Sequence, residues 1–378
     1  MKIAIVGGGP SGLYFAYLMK KRDPNIHVRV FEQNTPDATY GFGVVFSDMA
    51  LPYFEEADEE SFKAIIGAIK AWDNHTIVRH DERVTIDGVN FSGIARLDLL
   101  RILQGFCGRV GVDIDYENRI ATLDALTGYD AVVGADGINS VVRTLGAPHF
   151  ATKIYELTNR FAWYGTEARF ETVTLTFRPV ERGVIVAHHY PYNDAMSTFL
   201  VECDRAAWEG EGLDRMNDEA RMAYAEQVFA PDLGGHKLIS NNTTWRCFPV
   251  ITNAHWVHGN MVLIGDALRS AHFSIGSGTR LAMEDAIALW RAFGEAGADV
   301  PAALAGYQAA RRPIVEKMTT AARASFEWYE DMASKMHLSP VALAHDYMLR
   351  SGRIDDARLR RLAPRFMERY DRERAAAG

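Results

Sequence analysis

One short string constrains this chain more than any other: Gly7-Gly-Gly9-Pro-Ser-Gly12, set between an apolar run and a helical pattern. Ile3 to Val6 is continuously apolar and ends in glycine, as a buried parallel strand does. Leu13, Ala16, Tyr17 and Leu18 then repeat at helical spacing between Ser11 and Lys21, and Val28 to Glu32 reads as a second strand. The unit is strand, glycine turn, helix, strand. Gly7, Gly9 and Gly12 let backbone N–H groups approach a diphosphate at a helix N-terminus, where the helix dipole favours negative charge. Glu32 closes the second strand 32 − 12 = 20 residues after the last glycine, the place for an acceptor to ribose hydroxyls. Together these features predict a dinucleotide site and leave flavin and nicotinamide dinucleotides both open.

The middle of the chain changes period. From about Phe161 to Glu202 it alternates as half-buried strands do, in Val173 to Phe177, Val184 to Tyr190 and Ser197 to Glu202, with turn residues between them. A mostly antiparallel sheet is expected there. After Trp256 the α/β style returns, with a strand over Met261 to Ile264 and a helix from about Ser277 to Phe293, and residues from Pro301 onward read as helical. There is no internal repeat and no low-complexity linker, so the second domain is expected as an insertion into the first. A net charge of −8 argues against nonspecific nucleic-acid binding. Three cysteines, Cys107, Cys203 and Cys247, without paired or metal-ligand spacing, suit a reducing compartment. The N-terminal apolar run is too short for a signal peptide, and no stretch approaches the ~20 apolar residues of a membrane span. A soluble cytoplasmic protein, monomeric or homodimeric, is expected, with no metal, nucleic-acid or membrane partner.

Two later strings carry a family resemblance. Gly134-Ala-Asp136-Gly137-Ile-Asn-Ser140-Val-Val-Arg143 follows an apolar strand, and Gly265-Asp266-Ala closes another before Gly276-Ser-Gly278 and a long helix. In order and separation these segments resemble the fingerprints of the class A FAD-dependent aromatic monooxygenases. The resemblance implies that Asp266 binds the ribityl chain and that the loop at Gly276 and Gly278 covers the pyrimidine edge of the flavin. It also places Arg96, at the start of a helix carrying Leu99, Leu100 and Leu103, near the FAD phosphates. Read without the family, each aspartate is equally a helix cap or turn residue, and a surface ion pair is the lesser alternative for Arg96. No second glycine fingerprint occurs, which agrees with a class in which NADH or NADPH visits only transiently.

A narrower resemblance spans nearly the whole chain. Gly41-Phe-Gly-Val-Val-Phe-Ser-Asp48, Tyr190-Pro-Tyr-Asn-Asp194, His272-Phe-Ser-Ile-Gly-Ser-Gly-Thr279 and Leu281-Ala-Met-Glu-Asp-Ala286 are similar to strings of the aryl-CoA hydroxylase branch, salicyloyl-CoA 5-hydroxylases and the hydroxylase half of 2-aminobenzoyl-CoA (anthraniloyl-CoA) monooxygenases. A hydroxylase of violacein synthesis, acting on a tryptophan-derived intermediate, shares several of them. Two departures from the wider class stand out: its Gly-Asp-Ala-Ala-His is Gly265-Asp-Ala-Leu-Arg269 here, and Phe273 takes the place of its usual proline.

The expected fold is α/β: a Rossmann-like FAD-binding domain (1–72, 95–155 and 255–320) with an inserted, mostly antiparallel substrate domain (73–94 and 156–254) and a helical C-terminal region (321–378). The resemblance implies an NAD(P)H-dependent flavoprotein that hydroxylates an activated aromatic or aryl-CoA ring with molecular oxygen through a flavin hydroperoxide. The length of 378 residues adds the expectation of a product that stays aromatic. His272, Phe273 and His189 are the candidates for the catalytic pocket. His188 and His189 are adjacent on a strand and so point to opposite faces. Arg358, Arg360 and Arg361 read most simply as a solvated helix face, with contact to a CoA phosphate as the alternative. The competing classes are a flavin-fold binding protein without redox activity and a flavin reductase that inserts no oxygen. A visible spectrum and oxygen uptake, respectively, separate them.

Overall fold

The computed structural model describes residues 1–39, 41–47 and 51–377. Asp48 of the Gly41-to-Asp48 string lies outside the described residues.

The N-terminal reading becomes the centre of a six-stranded sheet, ordered Val257–His258, Met261–Leu263, Ala131–Gly134, Lys2–Val6, His27–Phe31, Asp113–Asp115. All neighbours pair in parallel except the first two. The helix Pro10–Arg22 is buried at every position from Pro10 to Met19, as a helix without a polar face must be. It packs between the helices Arg96–Val110 and Gly278–Ala296. Gly12 permits its start: a Cβ there would lie 2.1 Å from the Gly7 carbonyl oxygen.

The second sheet has eight strands and is mixed. Leu238–Ile239, Thr152–Thr166, Ser197–Cys203, Val184–Pro191, Val173–Pro179, His75–Arg79 and Glu82–Ile86 follow one another, and Arg246–Asn253 pairs with Thr152–Thr166. The hairpin 75–86 joins through a parallel pairing of His75–Arg79 with Val173–Pro179, so residues distant in sequence complete one surface. The expectation of half-buried strands needs correction: Val184–Pro191 and Ser197–Cys203 are buried throughout. Two layers cause this. Trp208, Phe229 and Leu233 belong to the core on one face, and Trp328, Tyr329, Met332 and Tyr347 from the C-terminal helices belong to the core on the other.

A small third sheet, Gly43–Ser47, Phe91–Ala95 and Lys70–Trp72, stands between the two large ones. Tyr190 joins it to the mixed sheet by donating from its hydroxyl to the Gly43 carbonyl at 2.9 Å. The long helix Val300–Glu330 packs on Gly278–Ala296, and its last residue, Glu330, accepts from the Thr158 and Asn159 amides of the mixed sheet at 2.8 and 2.9 Å. That helix therefore reaches from the parallel sheet to the mixed one.

Candidate active site

A single elongated cavity of about 1060 Å³ runs from the glycine turn of the parallel sheet to the face of the mixed sheet. At its first end lie Gly7, Gly9, Glu32, Asn34 and Arg96. Gly7 has φ +107°, and a Cβ on it would meet the Ala135 carbonyl oxygen at 2.4 Å; around Gly9 the space is open. Only a glycine fits the first position, and the second leaves the backbone bare toward the cavity. Glu32 Oε2 accepts from the Gly8 amide at 2.7 Å and Oε1 from the Asn34 amide at 2.8 Å. These bonds fix its carboxylate beside the glycine turn. Gly12 lies one helical turn in, against the strand, and acts through packing.

The two aspartate turns differ in what their carboxylates do. Asp136 Oδ1 accepts from the Ser140 hydroxyl at 2.5 Å and Oδ2 from the Val141 amide at 2.6 Å. It lines the cavity with Gly137, yet its carboxylate serves as a cap for the short helix Val141–Leu145. Asp266 faces the cavity without a hydrogen-bond partner among the described residues. Desolvation by the surrounding protein pushes its carboxyl up, against the pull of Arg269 and Arg96. Arg96 also lines the cavity, and its buried Nε lacks a partner. Asp266 and Arg96 attract each other across the chamber but share no hydrogen bond, which suits a polar ligand that supplies a donor to one and an acceptor to the other.

The Asp266 turn is held from behind. Asp285 Oδ2 accepts from the Gly265 amide at 3.0 Å and from Arg269 Nη1 at 2.5 Å, while Oδ1 accepts from Arg311 Nε at 2.8 Å. Burial alone would raise the Asp285 carboxyl; Arg269 and Arg311 override it and hold the group below the usual range. Arg143 ties the two turns together, donating to the carbonyls of Ile138 and Ala267 at 2.6 and 2.8 Å. The departure at Arg269 thus has a physical role: it is the buried cation that answers Asp285.

At the other end the mixed sheet roofs the cavity. Phe161, Leu175, His188, Tyr190 and Leu200 point into it, with Phe248 and Phe273 beside them. Phe273 packs at 4.9 Å from Phe161 and edge-on to His188 at 5.4 Å between ring centroids. His188 Nε2 lies 3.2 Å from Glu202 Oε2, and Glu202 Oε1 accepts from Asn159 Nδ2 at 2.9 Å. In the tautomer that donates from Nε2 to the carboxylate, the lone pair of His188 is on Nδ1. His75, from the hairpin 75–86, also lines the cavity, and neither of its ring nitrogens has a partner. Burial, reinforced by Arg350 and His188, lowers it to about 3, so it is neutral at ordinary pH. Gly276 (φ +56°), Gly278 and Ser274 form the lip between the two ends. Arg350 locks that lip to the C-terminal helices by donating to the Ser274 carbonyl at 2.7 Å and to the Ser325 hydroxyl at 3.0 Å.

Of the three expected pocket residues, Phe273 is in the wall and the two histidines are not. His272 sits behind Phe273, buried, its Nδ1 accepting from the Ser274 amide at 3.3 Å. His189 occupies the opposite face of the sheet, stacked on Phe199 at 5.1 Å and paired with the Thr176 hydroxyl at 3.1 Å. Burial drives both well below the ordinary histidine range. The correction is one of strand parity: His188, not His189, faces the cavity. His75, Glu202 and Arg350 were not found from sequence. Strand alternation gives two faces but does not say which one a ligand uses.

This combination defines a dinucleotide-binding oxidoreductase whose cofactor chamber opens directly onto a buried aromatic pocket. A family model described as an FAD binding domain matches residues 127–322, more than half of the chain; a second, described as an NAD(P)-binding Rossmann-like domain, matches residues 5–36. The chain is 38% identical over 361 residues to a salicyloyl-CoA 5-hydroxylase of Streptomyces sp, covering 93% of this chain and 70% of that protein. It is 36% identical to the 3-hydroxy-4-methyl-anthranilyl-(aryl-carrier protein) 5-monooxygenase of Streptosporangium sibiricum, over 87% of this chain and 89% of that one. A mutant of 2-methyl-3-hydroxypyridine-5-carboxylic acid oxygenase shares the fold with a TM-score of 0.74 at 17% identity, over 96% of both chains. The chain belongs to the FAD-binding-domain family and, within it, to the NAD(P)H-dependent flavoprotein aromatic hydroxylases. No helix among the described residues is long and apolar enough to cross a membrane.

Proposed function

We propose that this enzyme hydroxylates an activated aromatic ring presented as a thioester, of the salicyloyl-CoA or 2-aminobenzoyl-CoA type. The observation that carries the reading is the 38% identity to a salicyloyl-CoA 5-hydroxylase along nearly the whole chain. The aryl-carrier-protein relative supports the same substrate chemistry, an aryl group carried on a thiol.

In this reading Gly7 and Gly9 bring backbone amides to the FAD diphosphate, Glu32 accepts from the adenosine ribose, and Asp266 accepts from the ribityl hydroxyls. Arg96 supplies positive charge to the phosphates. Asp136 and Gly137 shape the wall through the capped turn rather than through a free carboxylate. Gly276 and Gly278 lie along the flavin edge. Bound FAD supplies the redox chemistry that passes electrons from NADH or NADPH to molecular oxygen. The remaining work falls to the pocket. Phe161, Phe248 and Phe273 exclude water and orient the ring. A ring hydroxyl ortho to the thioester donates to His188 Nδ1, and Glu202 stabilises the imidazolium that forms when the proton moves. Neutral His75 completes the hydrogen bonding of the same polar edge. His272 acts only through Phe273, which it backs.

Substrate-stimulated NAD(P)H oxidation across aryl-CoA thioesters, free aryl acids and indoles tests the proposal, with mass spectrometry of the products. Salicyloyl-CoA or 2-aminobenzoyl-CoA is expected to give the strongest stimulation and a product with one added oxygen. A preference for the free acid or for an indole-derived substrate refutes the thioester assignment.

A further inference from the structure

The far wall of the cavity is made by the C-terminal segment, and its charge is unusual. Arg350, Arg353 and Arg358 all line the cavity there, in a chain whose net charge is −8. Arg350 is fixed by the carbonyls of Tyr347 and Ser274, and its guanidinium lies 3.6 Å over the Tyr347 ring. Tyr347 in turn packs 5.2 Å from His75, so this wall is continuous with the aromatic pocket. Arg358 Nη1 donates to the Arg353 carbonyl at 3.2 Å, which brings those two residues side by side. Arg353 itself is half-buried, and its guanidinium has neither a carboxylate nor a hydrogen-bond acceptor among the described residues.

The charges around Arg353 do not compensate it. Burial, then Arg280, Arg358 and Arg350, all disfavour its protonated form, and the one opposing charge is Glu284. That carboxylate is already committed, to Arg280 Nε at 2.6 Å and Arg311 Nη2 at 2.7 Å. A partly desolvated guanidinium among like charges is costly unless an anion meets it. Among the described residues no carboxylate bonds the Arg353 guanidinium, and Glu284, which attracts it, is shared with Arg280 and Arg311, whereas the cavity gives a ligand access.

We infer that Arg353, flanked by Arg350 and Arg358, is the binding site for a phosphate group on the arm of a ligand whose other end lies in the aromatic pocket. The inference rests on the proposed thioester reading and deepens it, because such a substrate carries phosphate far from its ring. A guanidinium fork suits phosphate oxygens, and binding energy gathered there orients the small ring at the reacting end. The same chemistry is found on the CoA arm and on a nicotinamide dinucleotide, and the test separates them.

FAD-loaded wild-type, Arg353→Gln and Arg353→Lys proteins are compared by calorimetric titration with 3′-phospho-ADP, the nucleotide end of CoA, and with NADH and NADPH. The kcat/KM ratio for salicyloyl-CoA over its N-acetylcysteamine thioester, which lacks phosphate, is measured in parallel. Loss of one charged hydrogen-bonding group predicts about a tenfold or greater weakening of 3′-phospho-ADP in Arg353→Gln. A comparable fall in the kcat/KM ratio is expected, with partial recovery in Arg353→Lys. Weakening confined to the nicotinamide dinucleotides would assign the phosphate site to the reductant instead. Unchanged affinity for all three probes, with FAD retained, overturns the site. If no thioester is turned over but 3′-phospho-ADP binding depends on Arg353, the site stands and the substrate reading falls. If thioesters are turned over and Arg353→Gln changes nothing, only the site falls.

Discussion

The two ends of the cavity are built by different rules. At the dinucleotide end the groups are mostly backbone, and they come from contiguous strings: the Gly7-to-Gly12 turn, the Asp136 turn and the Asp266 turn, each at the end of a parallel strand. At the aromatic end they are side chains drawn from a hairpin at 75–86, from the strands Val173–Pro179, Val184–Pro191 and Ser197–Cys203, and from the C-terminal helices. A backbone cradle tolerates little change, because a Cβ at Gly7 would lie 2.4 Å from a carbonyl oxygen. A wall of side chains can be exchanged one residue at a time without altering the strands beneath it. One cofactor site can therefore serve relatives whose substrates differ, with specificity set by the roof.

The largest effect is expected from cutting the buried network behind the Asp266 turn at the dinucleotide end. Asp285 anchors the Gly265 amide and two buried arginines. Asp285→Ala leaves Arg269 and Arg311 without that partner and should cost about 3–5 kcal/mol, measured by denaturant unfolding of the FAD-loaded protein. A loss below about 1 kcal/mol would show that the network behaves like a surface ion pair.

The next largest effect belongs to the aromatic end alone. His188→Ala should lower kcat by about a hundredfold while FAD affinity stays within experimental error. A variant that loses FAD, or keeps full kcat, would contradict the division of labour between the ends.

The complementary substitution is at the dinucleotide end. Removing the charged acceptor in Glu32→Ala should weaken FAD by about ten- to a hundredfold, read by fluorescence titration of the apoprotein. Because Glu32 also fixes the Gly8 and Asn34 amides, near-ultraviolet dichroism must show an intact fold for that loss to be assigned to the ribose contact.

The smallest effect is a pH dependence from the roof. His75 is held at about 3 in the folded state, against an ordinary value of about 6.5 when unfolded. Between those values the unfolded chain binds the extra proton, so stability is complete above about pH 6.5 and falls as pH drops toward 3. Lowering the pH from 7.5 to 5.5 should cost roughly 1 kcal/mol through this residue, and His75→Leu should flatten that part of the profile. An unchanged slope in the variant would mean that His75 does not carry the penalty.

Much of the dinucleotide end was legible in sequence because its chemistry is local. A glycine turn, the strand before it and the helix after it are neighbours in the chain, so spacing alone encodes the geometry around Gly7, Gly9 and Glu32. Read from the residues alone, Asp136 and Asp266 are alike, and the family resemblance pointed only to Asp266 as the ribityl contact. The folded chain adds that the Asp136 carboxylate is spent on a helix cap while Asp266 lines the cavity without a hydrogen bond among the described residues.

The aromatic end was decided by tertiary structure. Sequence established that His188 and His189 face opposite ways, since a strand has period two. It did not say which face the cavity lies on, because that depends on where the C-terminal helices leave the mixed sheet uncovered. His75 reaches the site through a parallel pairing with Val173–Pro179, and Arg353 through the turn between the helices Pro340–Leu349 and Asp356–Leu362, which lines the same cavity. Long-range packing leaves no fixed spacing in the chain. Local order along the chain carries the glycine turn, its strand and its helix, and with them the class of chemistry; which side chains line the aromatic pocket is a property of the fold alone.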